Sequence, residues 1–164
     1  MNCYFLKETP SKAREDVDQI MREMNFRNIG FKRPKTKNTV INFFVTLASA
    51  MKAPFSLHKG DVLVLPYNIR KYYIYLCKVA HLRGAKVVTL IHDLSSFYRK
   101  KVSSKDEIKR LSHCDYVIAH NSIMKKWLED NGFKKPIGIL GIFDYLSSKQ
   151  PQKQTTPQQP YKIL

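Results

Sequence analysis

Glycine and cysteine are scarce in this chain, with six glycines and three cysteines in 164 residues. The cysteines, Cys3, Cys77 and Cys114, are odd in number, far apart and each set in an apolar stretch. Neither a disulfide framework nor a Cys-x-x-Cys metal site is expected, and the reducing cytosol is the simplest compartment. There is no G-x-G-x-x-G after the first apolar run, where Leu6-Lys-Glu-Thr-Pro-Ser11 stands instead, and no G-x-x-x-x-G-K-[ST]. A dinucleotide or P-loop site is thereby disfavoured, and the absence of G-x-S-x-G and H-E-x-x-H removes two hydrolase signatures. No apolar run reaches the ~18–20 residues needed to cross a bilayer, and the N-terminus lacks the charged-then-apolar pattern of a secretory signal.

Acidic residues are few as well: Asp and Glu number 13 against 29 Lys and Arg, a formal net charge of +16. A field of that sign draws polyanions from solution, so nucleic acid, an anionic membrane and phosphorylated substrates all suit it. Much of the excess is clustered. Lys32, Arg33, Lys35 and Lys37 share one loop, and Arg99, Lys100 and Lys101 open a second basic stretch that continues through Lys105, Lys109 and Arg110. These two clusters are the expected anion- or membrane-facing surface.

The apolar residues have the spacing of an α/β protein. Cys3 to Leu6 forms a short run, after which Val17, Ile20, Met21 and Met24 recur at helical spacing. Ile29 and Phe31 suggest a second strand. Val40, Phe43, Phe44 and Leu47 mark a helix with Asn38 as N-cap, and the apolar content from Val40 to Ala53 predicts that this helix is buried. Asp61-Val-Leu-Val-Leu-Pro66, Lys86-Val-Val-Thr-Leu-Ile91 and Asp115-Tyr-Val-Ile-Ala119 are nearly continuous apolar strands, as in a parallel sheet covered on both faces. The helices between them are announced by Tyr72, Tyr73, Leu76 and Val79, by a Ser104-x-x-Glu107 capping box, and by Asn121 ahead of Ile123, Met124, Trp127 and Leu128. Alternation of this kind predicts a Rossmann-like α/β domain, an open parallel sheet with helices on both faces, over residues 1–146. Residues 147–160, SSKQPQKQTTPQQP, carry no aliphatic or aromatic side chain and are expected to form a polar linker. Tyr161-Lys-Ile-Leu164 then resembles the opening of a strand, which suggests the start of a second, C-terminal domain.

In open parallel sheets ligands bind at the carboxyl ends of the strands. Those ends are polar here: Thr9 and Ser11 after the first strand, Tyr67, Asn68 and Arg70 after the third, His92 and Asp93 after the fourth, His120 and Asn121 after the fifth. Each has a structural alternative. Asn121 stands where a helix N-cap is required, and His120 suits a packed, backbone-satisfied histidine. Asp93 fits either a general base or the cap of the following turn. His113 lies near a helix end, where imidazole meets terminal carbonyls more readily than a metal. Tyr67, Tyr72, Tyr73 and Tyr75, close to Arg70 and Lys71, suit stacking on sugars or bases, and helical spacing makes Tyr72 and Tyr73 equally good core residues.

Ile91-His-Asp-Leu94, Glu107-Ile-Lys-Arg-Leu111, Asp115-Tyr-Val-Ile-Ala-His-Asn121, Met124, Leu128, Gly132 and above all Leu140-Gly-Ile-Phe-Asp-Tyr-Leu146 form a recognisable series. It resembles the N-terminal domain of bacterial GT-B glycosyltransferases of the β-1,6-galactofuranosyltransferase and related glucosyltransferase type, over roughly residues 61–146. The resemblance implies two Rossmann-like domains facing a cleft. The N-terminal one shapes the acceptor site, and a C-terminal domain holds most of a UDP-sugar donor, with no further cofactor and no metal. It carries over to His92, Asp93, His120, Asn121, Phe143, Asp144 and Tyr145, with Asp93 the candidate base and His120 its alternative, and Asp144 among the acceptor-side residues. The chain departs from the pattern at Ser95-Ser-Phe-Tyr-Arg99 and at Leu65-Pro-Tyr-Asn68, which puts acceptor choice in doubt. The implied partners are a glycan or lipid-linked glycan acceptor, the chain's own C-terminal domain and an anionic inner-membrane surface, with a homo-oligomer left open. Such a chain by itself is expected to be inactive. The competing reading is a basic nucleic-acid-binding module, for which no helix-turn-helix, RRM, KH or zinc-finger pattern speaks.

Overall fold

The computed structural model describes residues 2–5, 12–30, 38–67, 72–98 and 103–141. Six strands form one sheet: β1 (Asn2–Tyr4), β2 (Arg27–Asn28), β3 (Val62–Pro66), β4 (Lys86–Leu90), β5 (Tyr116–Ala119) and β6 (Ile137–Ile139), in spatial order β2-β1-β3-β4-β5-β6. Every pairing is parallel. The expected Rossmann-like α/β architecture is therefore present, in the doubly wound order found in flavodoxin-like sheets. β2 is Arg27–Asn28, just ahead of Ile29, whose N–H still bonds to the Tyr4 carbonyl of β1 at 2.9 Å; Phe31 lies outside the described residues.

The helices are α1 (Lys12–Glu23), α2 (Thr39–Lys52), α3 (Tyr73–Leu82), the single turn α4 (Ser95–Tyr98), α5 (Ser104–Leu111) and α6 (Ser122–Asp130), with a 3-10 turn at Ala53–Ser56. They load the two faces of the sheet unequally. Leu76, Cys77 and Ala80 of α3, Leu111 of α5 and Met124 and Leu128 of α6 pack with Cys3, Leu63, Leu65, Val87, Val117 and Ala119 into the main core. On the opposite face Val17 and Met21 of α1 meet Tyr4, Val64 and Leu90. Strand residues alternate between these clusters with the period of two that a doubly covered sheet requires.

Local signals account for the element ends. Asn38 Oδ1 accepts from the N–H groups of Val40 at 2.9 Å and Ile41 at 3.3 Å, so the expected cap of α2 is present. At the end of α3 the chain reverses through Gly84 at φ +74°. A Cβ there would lie 3.3 Å from the Lys59 backbone, so glycine meets two demands at once. Tyr73 Oη and Thr89 Oγ1 satisfy each other at 2.6 Å inside the main core. Burial, followed by the thiol of Cys114, raises the Cys77 thiol to about 12, which keeps it neutral and inert.

The α2 expectation fails in one respect. Ala50 is its only fully buried residue; of the apolar side chains expected in the core, Leu47 is half-buried, and Val40, Phe43 and Phe44 face outward. The helical period identified which residues share a side, and it carried no information on which side meets the sheet.

Candidate functional site

Because all pairings are parallel, the carboxyl ends of all six strands lie along one edge, and the ladder keeps them in step. Tyr67 N–H donates to the Leu90 carbonyl at 2.9 Å, Ile91 N–H to Ile118 at 3.0 Å, and Leu140 N–H to Ala119 at 2.9 Å. Leu90 and Ile118 are register partners. His92 and His120, each two residues further on, therefore leave neighbouring strands at the same level. Both are half-buried, Asp93 beside them is exposed, and together they form a polar rim over β4 and β5.

The structure removes one of the two roles open to Asp93, that of turn cap. Had it capped the following turn, its carboxylate would accept from the first N–H groups of α4. Those groups are already taken: Glu107, reaching across from α5, accepts from Ser95 N–H at 2.9 Å through Oε1 and from Ser96 N–H at 2.8 Å through Oε2. Glu107 is fully buried. Asp93 makes no hydrogen bond or ion pair among the described residues. Its carboxylate is exposed at the rim.

Glu107 is also the residue whose role sequence reasoning misassigned. The capping box placed the N-cap at Ser104 with Glu107 folding back to it. Instead Ser103 caps, its Oγ accepting from Lys105 N–H at 3.1 Å, and Glu107 faces inward. The signal was available. Glu107, Leu111 and Cys114 recur at i, i+4 and i+7, so the carboxylate occupies the apolar stripe, and a carboxylate there needs donors from another element.

Asn121 acts as the N-cap of α6, its Oδ1 accepting from Met124 N–H at 2.8 Å. It therefore shapes the rim through the helix it starts. Tyr67 is buried and meets Tyr73 edge-to-face with ring centroids 5.6 Å apart, so its ring is packing material at the end of β3 and offers no open stacking face. Tyr73 is likewise buried. Tyr72 and Tyr75 are half-buried, and Tyr75 Oη donates to the Met51 carbonyl at 2.7 Å. The stacking role expected of this group is not supported for Tyr67 and Tyr73, whose faces the core has consumed. His113 does what its position suggested, directing Nδ1 to the carbonyls of Lys109 at 3.1 Å and Arg110 at 3.2 Å.

Away from the rim, at the amino edge of the sheet, Asp115 Oδ2 accepts from Val87 N–H at 2.7 Å and pairs with His81 Nε2 at 2.8 Å. Partial burial opposes its ionisation, but the Val87 N–H and the His81 imidazole outweigh it and hold the carboxyl below the usual range. On the α1 side Tyr4 Oη donates to Asp18. Burial, then that carboxylate, push the phenol up to about 12.

The remaining expected site residues, Thr9, Ser11, Asn68, Arg70 and Asp144, lie outside the described residues, as do Phe143 and Tyr145 and the basic groups Lys32, Arg33, Lys35, Lys37, Arg99, Lys100 and Lys101. Among the described residues no cluster of three or more His, Cys, Asp or Glu is gathered to hold a metal ion, and no helix is long and apolar enough to cross a membrane. The order β2-β1-β3 puts the topological switch point between β1 and β3, where ligands of doubly wound sheets enter. The His92, Asp93 and His120 rim lies beside that crevice.

The chain is similar to known proteins along nearly its whole described length. A family model described as "Glucosyltransferase 3-like, N-terminal domain" matches residues 2–142, which takes in every described element. The chain is 28% identical over 138 residues to beta-1,6-galactofuranosyltransferase WbbI of Escherichia coli (strain K12). That similarity covers 84% of this chain and 40% of the relative, so the chain spans well under half the length of the curated protein it matches.

Proposed function

The chain belongs to the glucosyltransferase 3-like family as its N-terminal domain, and from that membership we propose that it forms the acceptor-side half of a sugar transferase. In this reading the donor is a UDP-linked galactofuranosyl, galactosyl or glucosyl group. A second Rossmann-like domain holds it across a cleft in the GT-B manner. The acceptor is a glycan or lipid-linked glycan of a bacterial surface polysaccharide. The observation that carries the reading is Asp93, an uncommitted carboxylate on a strand-end rim inside the region the family model matches.

The chemistry asked of the rim is modest and balanced. The acceptor oxygen attacks the anomeric carbon, the bond from that carbon to the phosphate oxygen breaks, and UDP leaves with the electron pair. Asp93 takes the proton that the acceptor hydroxyl gives up, and His120, at the end of the next strand and level with His92, orients that hydroxyl. Water competes with the acceptor in any such transfer, so the second domain also serves to close the cleft.

The test uses the full gene product that carries this domain, incubated with radiolabelled UDP-glucose, UDP-galactose and UDP-galactofuranose and with free or lipid-linked glycan acceptors. Label is expected in the glycan with one of the three donors. Asp93→Asn is expected to lower kcat by roughly 100-fold or more at little cost in donor KM. Absence of transfer from all three donors overturns the reading. Full activity in Asp93→Asn together with loss in His120→Ala moves the base to His120.

A further inference from the structure

The side chains of α2 are distributed in reverse. Asn42, Thr46, Leu47, Ser49 and Ala50 are the residues turned toward the domain, half-buried or buried, Leu47 being the one large apolar side chain among them. The opposite side presents Val40, Ile41, Phe43, Phe44, Val45 and Met51, with Val40 63%, Phe43 54% and Phe44 61% exposed. Beyond the helix, Phe55 in the 3-10 turn is 59% exposed and extends the same apolar surface. A helix that keeps a mostly small and polar side against the protein and turns most of its large apolar side chains to water has no partner for that outer side among the described residues.

We propose that the occupant is an anionic lipid bilayer, and that α2 lies in its interface with Phe43 and Phe44 among the acyl chains. Three observations select it. First, charge: from Met24 to Gly60 there is no Asp or Glu, against seven Lys and Arg, four of which directly precede the helix at Lys32, Arg33, Lys35 and Lys37. An apolar surface within an all-basic stretch complements anionic headgroups over hydrocarbon, and repels a second copy of this chain at +16. Second, length: the 14 residues of α2 are too few to span a bilayer and enough to lie in its surface. Third, the polar stretch 147–160, which has no apolar side chain, is unsuited to covering such a face. The bond from Tyr75 Oη, in the first turn of α3, to the Met51 carbonyl anchors the last turn of α2 near the carboxyl edge of the sheet. The inference rests on exposure and charge, and stands whether or not the domain takes part in sugar transfer.

The experiment is co-sedimentation of the chain with vesicles of phosphatidylcholine alone and with one-third phosphatidylglycerol, at 0.1 M and 0.5 M salt, for the unmodified chain and the F43S/F44S variant. Both positions are exposed, so the variant keeps the fold, which circular dichroism checks. The unmodified chain is expected to bind anionic vesicles at both salt levels, more weakly at the higher. The variant is expected to bind roughly 30-fold or more weakly at high salt, where charge is screened and apolar contact remains. No binding to anionic vesicles, or equal binding by the two forms at 0.5 M salt, overturns the proposal. A dimer in light scattering that dissociates in F43S/F44S overturns it in favour of a second copy. None of these readouts needs a sugar donor, so failure here and failure of the transfer assay are told apart.

Discussion

Replacing Glu107 by alanine removes both acceptors from the first turn of α4 and leaves the N–H groups of Ser95 and Ser96, now bonded at 2.9 and 2.8 Å, facing a small void. A bond to a charged acceptor contributes about 1.5–3 kcal/mol, and an unsatisfied buried donor costs about 1–3 kcal/mol. Both amides are only partly buried, so water restores some of that loss, and the expected destabilisation is about 2–4 kcal/mol. Glu107→Gln keeps one carbonyl oxygen but sets an NH2 group against the second amide, and about 1–2 kcal/mol is expected. Equilibrium urea unfolding followed by circular dichroism measures the totals. Amide hydrogen exchange localises them: Ser95 and Ser96 should exchange roughly 30- to 100-fold faster in Glu107→Ala, with Gln between, and the amides of β3 should lose protection only as far as global stability falls. Stabilities within about 0.5 kcal/mol of the unmodified protein for both variants, or unchanged exchange at Ser95 and Ser96, would refute the clamp. Asp93 would then regain its claim to the turn.

Asp93→Asn, by contrast, should leave urea stability within about 0.5 kcal/mol, since the carboxylate is exposed and bonds to nothing described; a larger loss would show a structural role. Asn121→Ala should cost about 1 kcal/mol through loss of the α6 cap, read by the same unfolding curves, with Asn121→Ser restoring most of it. The Asp115 carboxyl is held below its usual range in the folded state, so its contribution is present above the unfolded value of about 4 and is lost as pH falls through the folded one. Asp115→Asn should accordingly flatten the decline of stability below pH 4. An acid limb as steep as that of the unmodified protein would count against the Val87 and His81 interactions.

The central strands were legible because a doubly covered parallel strand needs an unbroken apolar run, which β3, β4 and β5 all have. β6 was missed. Ile137-Gly-Ile139 is three residues long with a glycine at its centre, and only the register with Val117 to Ala119 makes it a strand. Caps at Asn38 and Asn121 were readable because N-capping is local chemistry. What sequence leaves undetermined is what lies opposite a side chain: the outward face of α2, the donors that Glu107 meets, and the ring of Tyr73 that occupies Tyr67. At the site, the placement of His92, Asp93 and His120 on one edge followed from the parallel pattern alone. Excluding the cap role for Asp93 required knowing where Glu107 goes, twelve residues away in sequence from Ser95.

The position of β1 bears on how the domain assembles. β1 meets β2 within a single helix-linked unit, Cys3 lying opposite Arg27, and β3 through β6 each pair with the next strand along the chain. Only the β1–β3 pairing, Cys3 opposite Leu63, closes a long loop of about sixty residues and pays the larger entropy of closure. The protein is thus two sequence-local assemblies that share one strand pairing, and this pairing coincides with the switch point. A ligand bound there would touch residues from both assemblies and would strengthen the strand pairing between them, alongside the core they share, so occupancy and folding stability are linked.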